Sequence, residues 1–289
     1  MLIDFSSRPP LSEFSPEAPH LANYRRVYQG SEKQSAGSGA AQGLDGYLET
    51  YERLGTKHVV LKGRDLTTTF GFKIPNEVVA GFVREHGPRF IGFAGVDPWQ
   101  ADCVAQFDHA VNGLGLRGLN LQCFELKMTP DDPRLFPLYE KAIDLNVPVN
   151  IHCGINFSTH TPMSVGKPEY LDNVMVRYPE LRAIASPPGW PWVQELIGVA
   201  WRHPNLSIGI LAVRPKLLAK AHSGYEPLLQ YGRSVLKQKM IFGSAFPMMP
   251  VEAALSELDA LGLDAETRRL WLHDNAARFL NGAVDKTGA

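Results

Sequence analysis

The chain has 289 residues, a formal net charge of −1, 44% apolar residues and three cysteines. This length accommodates one large domain or two small ones. The near-neutral charge argues against nucleic-acid binding. No apolar run reaches the roughly 18 residues that a membrane span needs. The first residues lack the basic and apolar regions of a signal peptide, so we expect no secretion. Three cysteines do not make a disulfide framework, so we expect a cytoplasmic protein.

Short apolar runs alternate with amphipathic stretches along almost the whole chain. The predicted strands are Leu2–Ser6, His58–Lys62, Phe90–Val96, Leu116–Gln122, Val147–His152, Leu181–Ala185, Leu206–Ala212 and Lys239–Ser244. The predicted helices between them include Leu44–Leu54, Asn76–Glu85, Gln100–Asn112, Leu135–Leu145, Val193–Trp201 and Val251–Leu261. Runs this apolar are typical of parallel strands buried on both faces. The pattern predicts one α/β domain over residues 1–289, a closed (β/α)8 barrel or an open doubly wound sheet.

Three stretches interrupt this alternation. Ser31–Gly43 is rich in Gly, Ser, Ala and Gln, which predicts a flexible loop. Phe157–Lys167 predicts a loop at the barrel mouth, and Arg214–Lys237 predicts an additional helical lid between the last two strands.

The carboxyl ends of the strands form the active face of such a barrel. Lys62 and Arg64 at the end of the second strand, and Gln122 at the end of the fourth, are therefore candidate substrate-binding residues. They either line a pocket for a small anionic ligand or satisfy one another in a collapsed pocket.

Several segments carry a family likeness in their order and spacing. They are Ile74-Pro75-Asn76-Glu77, Arg89–Pro98, Gly115-Leu116-Arg117-Gly118, Val147–Gly154, Phe242-Gly243-Ser244 and Asn275–Leu280. Together these segments resemble the amidohydrolase-related proteins, which include decarboxylases, hydratases and lactonases acting on small carboxylated or aromatic compounds. The resemblance implies a distorted, amidohydrolase-like (β/α)8 TIM barrel.

The resemblance breaks at the metal ligands. In that family the first strand ends in Asp-x-His-x-His, whereas this chain reads Asp4-Phe5-Ser6-Ser7-Arg8. The family histidine after the fifth strand is present as His152, but Ser186 stands at the next histidine position and Ala245 replaces the aspartate of Gly-Ser-Asp. The resemblance therefore implies that Ser6, Arg8, Ser186 and Ala245 are degenerate metal-ligand positions, and we expect no metal or other cofactor.

Arg8 and His152 remain as candidate catalytic residues. Arg8 either clamps a substrate carboxylate through two parallel hydrogen bonds or fills the vacated cavity and pairs with Asp4 or Asp65. His152 acts as an acid or base, or it only forms hydrogen bonds in the mouth, because the sequence indicates no carboxylate that tunes it. A relocated metal site would join His152 to His160 and His222. Cys123 and Cys153 are expected to be buried, unreactive thiols.

Three functions fit this pattern. The first is a non-catalytic subunit that partners a metal-bearing amidohydrolase-like paralogue, or that forms a homo-oligomer. The second is a metal-independent lactonase, lyase or decarboxylase acting on a small carboxylated compound. The third is a small-molecule-binding regulatory protein.

Overall fold

The computed structural model describes residues 1–24, 26–27 and 43–282. The loop predicted for Ser31–Gly43 lies outside this part of the chain except for Gly43. No helix in the described ranges is long and apolar enough to cross a membrane.

The described residues form ten strands, and eight of them are the parallel strands predicted from sequence. The eight are β1 (Leu2–Asp4), β2 (Thr56–Lys62), β5 (Phe90–Phe93), β6 (Leu119–Leu121), β7 (Val149–His152), β8 (Ala183–Ser186), β9 (Leu206–Ile210) and β10 (Met240–Phe242). Most are shorter than predicted because the apolar runs extend into the loops on one or both sides of the strand. The other two, β3 (Arg64–Leu66) and β4 (Phe72–Ile74), form an antiparallel hairpin directly after β2, which the sequence did not indicate.

Hydrogen bonds between strands close the parallel strands into a barrel. One group has the order β1-β2-β5, the other has β10-β9-β8-β7-β6, and a parallel bridge from Ala94 to Leu119 joins them on one side. On the other side, the Phe5 N–H donates to the Phe242 carbonyl at 3.1 Å and the Ala245 N–H donates to the Ser6 carbonyl at 2.8 Å. The (β/α)8 prediction is therefore confirmed, and the open sheet is excluded.

Helices cover the outside of the barrel. The six named predicted helices are present, and Pro168–Arg177 is a further one. The longer ones are Leu44–Arg53, Asn76–His86, Cys103–Asn112, Phe136–Asp144, Pro168–Arg177, Val193–Arg202 and Val251–Asp259. The predicted lid is wrong. Its segment forms a short 3-10 helix, Pro215–Leu218, and the helix Glu226–Gly232, which packs beside Val193–Arg202 in the outer layer and fully buries Leu228.

The lower interior of the barrel is apolar. Phe5 contacts Phe93 and Phe279 edge to face, each at 5.5 Å between ring centroids. Phe279 belongs to the terminal helix Asn275–Asn281, and its carbonyl accepts a hydrogen bond from Arg182, which lies directly before β8. The terminal helix therefore closes the amino-terminal end of the barrel, and the polar groups of the interior lie toward the opposite end.

Asp4 joins the first and last strands from within the protein. Its carboxylate accepts hydrogen bonds from the Tyr51 hydroxyl at 2.7 Å and from the N–H and hydroxyl of Ser244 at 2.8 and 2.5 Å. Burial raises the pKa of Asp4, although these hydrogen bonds lower it in part. The carboxylate thus has a structural role at the seam of the barrel.

Candidate active site

The five positions that correspond to the family's metal ligands lie at one end of the barrel. Ser6 and Arg8 follow β1, His152 ends β7, Ser186 ends β8 and Ala245 follows β10. Because the carboxyl ends of parallel strands meet at one face, these residues surround the same mouth.

Arg8 is partly buried in this mouth, and no side chain in the described residues accepts a hydrogen bond from its guanidinium. The predicted pairing with Asp4 or Asp65 is wrong, because both carboxylates are bonded elsewhere. Asp4 holds the barrel seam, while Asp65 accepts from Thr67 at 2.6 Å and pairs with Lys73 at 2.7 Å. Burial, reinforced by the charge of Arg64, lowers the pKa of Arg8 to about 10, although Glu125 opposes this. Within the described part of the chain, Arg8 is therefore a charged group without a hydrogen-bonded counter-ion.

Glu125 is a fully buried carboxylate that binds two basic side chains. Arg64 donates to Glu125 Oε2 through Nε at 3.1 Å and also through Nη2, and His20 Nε2 lies 3.1 Å from Oε1. Burial opposes ionisation of Glu125, but the charge of Arg64 and the hydrogen bonds of both partners lower its pKa overall. Arg64 is therefore bonded to Glu125, and among the described residues it forms no hydrogen bond with Lys62 or Gln122.

Gly95 allows Arg64 to reach this position. A Cβ on Gly95 would lie 2.4 Å from the Arg64 backbone, so only glycine permits the hairpin to pass this close to the end of β5. Asn76 fixes the same point, since its side chain exchanges hydrogen bonds with the N–H and carbonyl of Gly95 at 2.9 and 3.0 Å.

His152 is 5% exposed and packs against Phe124 at 4.5 Å between ring centroids. No described group lies in hydrogen-bonding geometry with its buried Nδ1. Burial lowers the pKa of His152 to about 4; the charge of Glu125 raises it in part and that of Arg64 lowers it further. The imidazole is therefore neutral at pH 7. The expectation that no carboxylate acts on His152 is wrong, because Glu125 does.

A chain of amides lies below His152 and connects the remaining candidates. Lys62 Nζ donates to Asn150 Oδ1 at 3.3 Å, and Ser186 Oγ donates to the same oxygen at 2.6 Å. Asn150 Nδ2 donates to Asn120 Oδ1 at 2.8 Å, and Gln122 Nε2 donates to that oxygen at 3.2 Å. Lys62, Gln122 and Ser186 are thus brought together by two buried asparagines.

Sequence reasoning missed Glu125, His20 and the two asparagines. The asparagines left a signal, because Asn120-x-Gln122 and Asn150-x-His152 each put two polar residues on the same face of an apolar strand. Glu125 and His20 left none, since their partners are distant in sequence.

The three cysteines are buried, as predicted for Cys123 and Cys153. Burial raises the pKa of Cys123 to about 12 and that of Cys153 still further, so neither provides a thiolate near neutral pH.

Comparisons with known proteins agree with the barrel. The family model described as Amidohydrolase matches residues 33–282. The chain belongs to the amidohydrolase family. No curated protein matches it.

Solved structures similar to this amidohydrolase-family chain include three with different descriptions. An uncharacterized TIM-barrel protein from Bordetella bronchiseptica is 28% identical, with a TM-score of 0.82 over 97% of this chain and 98% of that one. The 5-carboxyvanillate decarboxylase LigW from Sphingomonas paucimobilis is 16% identical, with a TM-score of 0.64 over 97% and 98%. A probable 2-pyrone-4,6-dicarboxylic acid hydrolase from Acinetobacter baumannii with citric acid bound is 16% identical, with a TM-score of 0.60 over 82% and 88%.

The described residues of this family member do not fit the divalent metal implied by the family. Within them, no group of three or more His, Cys, Asp or Glu side chains is placed to hold a metal ion. This also removes the alternative of His152 with His160 and His222. A zinc-type site needs about three protein ligands. The family positions supply only one imidazole, the other groups being two hydroxyls, a methyl group and a guanidinium, and the guanidinium repels a cation.

His152→Gln is expected to flatten the pH dependence of stability. The unfolded imidazole has a pKa near 6.5 and the folded one about 4, so folding is favoured above pH 6.5 and loses that contribution as the pH falls toward 4. The loss is on the order of 3 kcal/mol. Urea unfolding at several pH values measures it, with the exposed His160→Gln as control. Identical profiles for the wild type and His152→Gln would contradict the neutral, buried imidazole.

Proposed function

We propose that this amidohydrolase-family protein is a metal-independent enzyme, a lyase, decarboxylase or lactonase, that acts on a small carboxylated compound. The observation that carries the proposal is the Arg8 guanidinium, which sits at the mouth with no acceptor among the described residues. Arg64 and Glu125 neutralise each other, so their ion pair does not compensate the positive charge of Arg8.

Arg8 supplies the recognition in this proposal. A guanidinium binds a carboxylate through two parallel N–H···O bonds and stays charged at every pH at which the enzyme works. Arg8 lies where the family has a metal ligand. Its fixed positive charge therefore attracts and orients an anion, as the metal cation would.

His152 supplies the acceptor for a proton. It is neutral at pH 7, and its pKa depends on the charges of Glu125 and Arg64. An anion bound at Arg8 stabilises the imidazolium and moves the pKa of His152 toward neutrality, where general-base catalysis is most efficient. Substrate binding thereby activates the base.

The names of two similar structures support the substrate class. The Sphingomonas protein is named for a carboxyvanillate and the Acinetobacter protein for a pyrone dicarboxylic acid. Both names denote small ring compounds with carboxyl groups, which is the ligand chemistry that an Arg8 without an acceptor among the described residues selects.

The test is turnover of a panel of aromatic carboxylates, oxo acids and lactones by protein kept in EDTA. We expect at least one compound to be consumed, with activity lost in Arg8→Met and retained in Arg84→Met, an exposed arginine. Activity that needs an added divalent metal, or that survives Arg8→Met, would overturn the proposal. Arg8-dependent binding without turnover would instead support a ligand-binding regulatory protein.

A second candidate is a non-catalytic subunit of a complex with a metal-bearing paralogue or with a second copy of the chain. Trp201 on the outer helix Val193–Arg202 favours it, because this side chain is 54% exposed and packs on Tyr231 at 5.9 Å between ring centroids. Tryptophan and tyrosine are enriched at interface hot spots. Native mass spectrometry of protein from its own host tests it: a stoichiometric complex with a metal-loaded barrel supports this candidate, and a lone chain rejects it.

A further inference from the structure

Lys62, the last residue of β2, brings an amine into the mouth on the same side as Arg8. Its Nζ donates to Asn150 Oδ1 across the barrel at 3.3 Å. The Ser7 N–H donates to the Val60 carbonyl at 3.1 Å, so the chain that leaves β1 runs beside the end of β2. Arg8 and Lys62 therefore lie at neighbouring strand ends on the rim.

This amine lacks an ion-pair partner among the described residues. Asp4 acts on it from a distance, but the Asp4 carboxylate is held by Tyr51 and Ser244 at the barrel seam. Nζ instead lies 5.5 Å from the centroid of the Phe5 ring. Burial lowers the pKa of Lys62 to about 7, although the charge of Asp4 raises it in part. Near neutral pH, much of the amine carries the free lone pair that a nucleophile needs.

Asn150 is arranged so that Lys62 can leave it. Its Oδ1 also accepts a shorter hydrogen bond, 2.6 Å, from Ser186 Oγ, so this oxygen keeps a partner when the amine turns toward a ligand. The cost of releasing Lys62 is therefore one long hydrogen bond, with no buried acceptor left unpaired.

We propose that Lys62 forms an imine with the carbonyl group of a small oxo acid whose carboxylate is bound by Arg8. The position of the carboxylate rests on the proposed function; the imine itself depends only on the amine and its surroundings. No covalent role for this residue follows from the family's metal positions, since Lys62 is not one of them.

The chemistry needs no co-reactant other than water. Lys62 Nζ attacks the carbonyl carbon, a C–N bond forms, and the carbonyl oxygen leaves as water with the two amine protons, giving the imine. With a 3-oxo acid, protonation of the imine nitrogen draws the electron pair of the bond to the carboxylate, and carbon dioxide leaves. A proton from water adds to the resulting enamine carbon, and hydrolysis releases the ketone and the free amine.

The experiment is reductive trapping of the full chain with pyruvate and sodium cyanoborohydride, read by intact mass and peptide mapping. We expect one reduced adduct, on the peptide that carries Lys62. Lys62→Met should abolish it, whereas Lys57→Met, an exposed lysine on the same strand, should leave it unchanged. Melting curves check that both variants fold, and loss of a buried amine in Lys62→Met is expected to leave the melting temperature unchanged or higher.

The outcomes separate this inference from the proposed function. No adduct at Lys62, or an adduct spread over surface lysines, overturns the imine even when carboxylate binding still depends on Arg8. If the adduct at Lys62 forms at the same rate in the wild type and in Arg8→Met, the imine at Lys62 is supported and carboxylate binding by Arg8 is rejected. An adduct at Lys62 that forms at least about tenfold more slowly in Arg8→Met supports both, since a charge-assisted pair contributes at least 1.4 kcal/mol.

Discussion

Arg8→Met is expected to weaken the binding of a small carboxylate by about 10- to 100-fold, which corresponds to a charge-assisted hydrogen-bonded pair of roughly 1.5–3 kcal/mol. The same change is expected to raise the free energy of unfolding of the unliganded protein by about 1–2 kcal/mol, because it removes a partly buried charge that has no described counter-ion. Calorimetric titration with benzoate and urea unfolding measure the two effects.

Arg8→Met is expected to weaken carboxylate binding while it raises stability, and this combination distinguishes a carboxylate clamp from a cavity filler. A guanidinium that only fills the vacated cavity would lower stability when removed, through lost packing, and would leave affinity unchanged. Arg84→Met is the matched control, since Arg84 is exposed and lies away from the mouth on the helix Asn76–His86. A destabilised Arg8→Met variant that still binds benzoate as the wild type does would contradict the clamp.

Glu125→Leu is expected to lower the free energy of unfolding by about 3–5 kcal/mol, because it leaves the charge of Arg64 and the imidazole of His20 unpaired at the mouth. The matched control is Glu252→Leu, which breaks the exposed ion pair with Arg53 and is expected to change stability by less than about 1 kcal/mol. Urea unfolding at neutral pH compares the two.

The pH dependence gives a second measure of Glu125. Its folded pKa is lower than the ordinary value of 4.5, so its contribution to stability is complete above that pH and is lost as the pH falls through the folded value. The wild type should therefore lose stability more steeply in acid than Glu125→Leu does. Parallel acid profiles, or equal effects of Glu125→Leu and Glu252→Leu at neutral pH, would contradict a buried carboxylate that organises the mouth.

The barrel could be predicted from the sequence because its strands are apolar on both faces and alternate with amphipathic helices. Closure could not be derived from this periodicity, since it depends on bonds such as that between Phe5 and Phe242, which join opposite ends of the chain. The hairpin β3–β4 was missed because each of its strands has three residues, which is too short for a period of two to be recognised.

The site was predicted only in part for the same reason. Residues at strand ends, such as Lys62 and His152, can be assigned to the mouth from local pattern. The pairing of Glu125 with Arg64 and His20 cannot, because 61 and 105 positions separate these residues in the chain. Which basic group remains unpaired follows from that pairing: Glu125 takes Arg64, and Arg8 is left without an acceptor among the described residues.

The central claim is that Arg8, and not a metal ion, attracts the carboxylate of the ligand. The most direct measurement is calorimetric titration of EDTA-treated protein with benzoate, with the uncharged benzamide for comparison and with Zn²⁺ or Mn²⁺ added in a second series. The account predicts that benzoate binds, that benzamide does not, and that neither metal changes the affinity. Benzoate binding that appears only after a metal is added would contradict it.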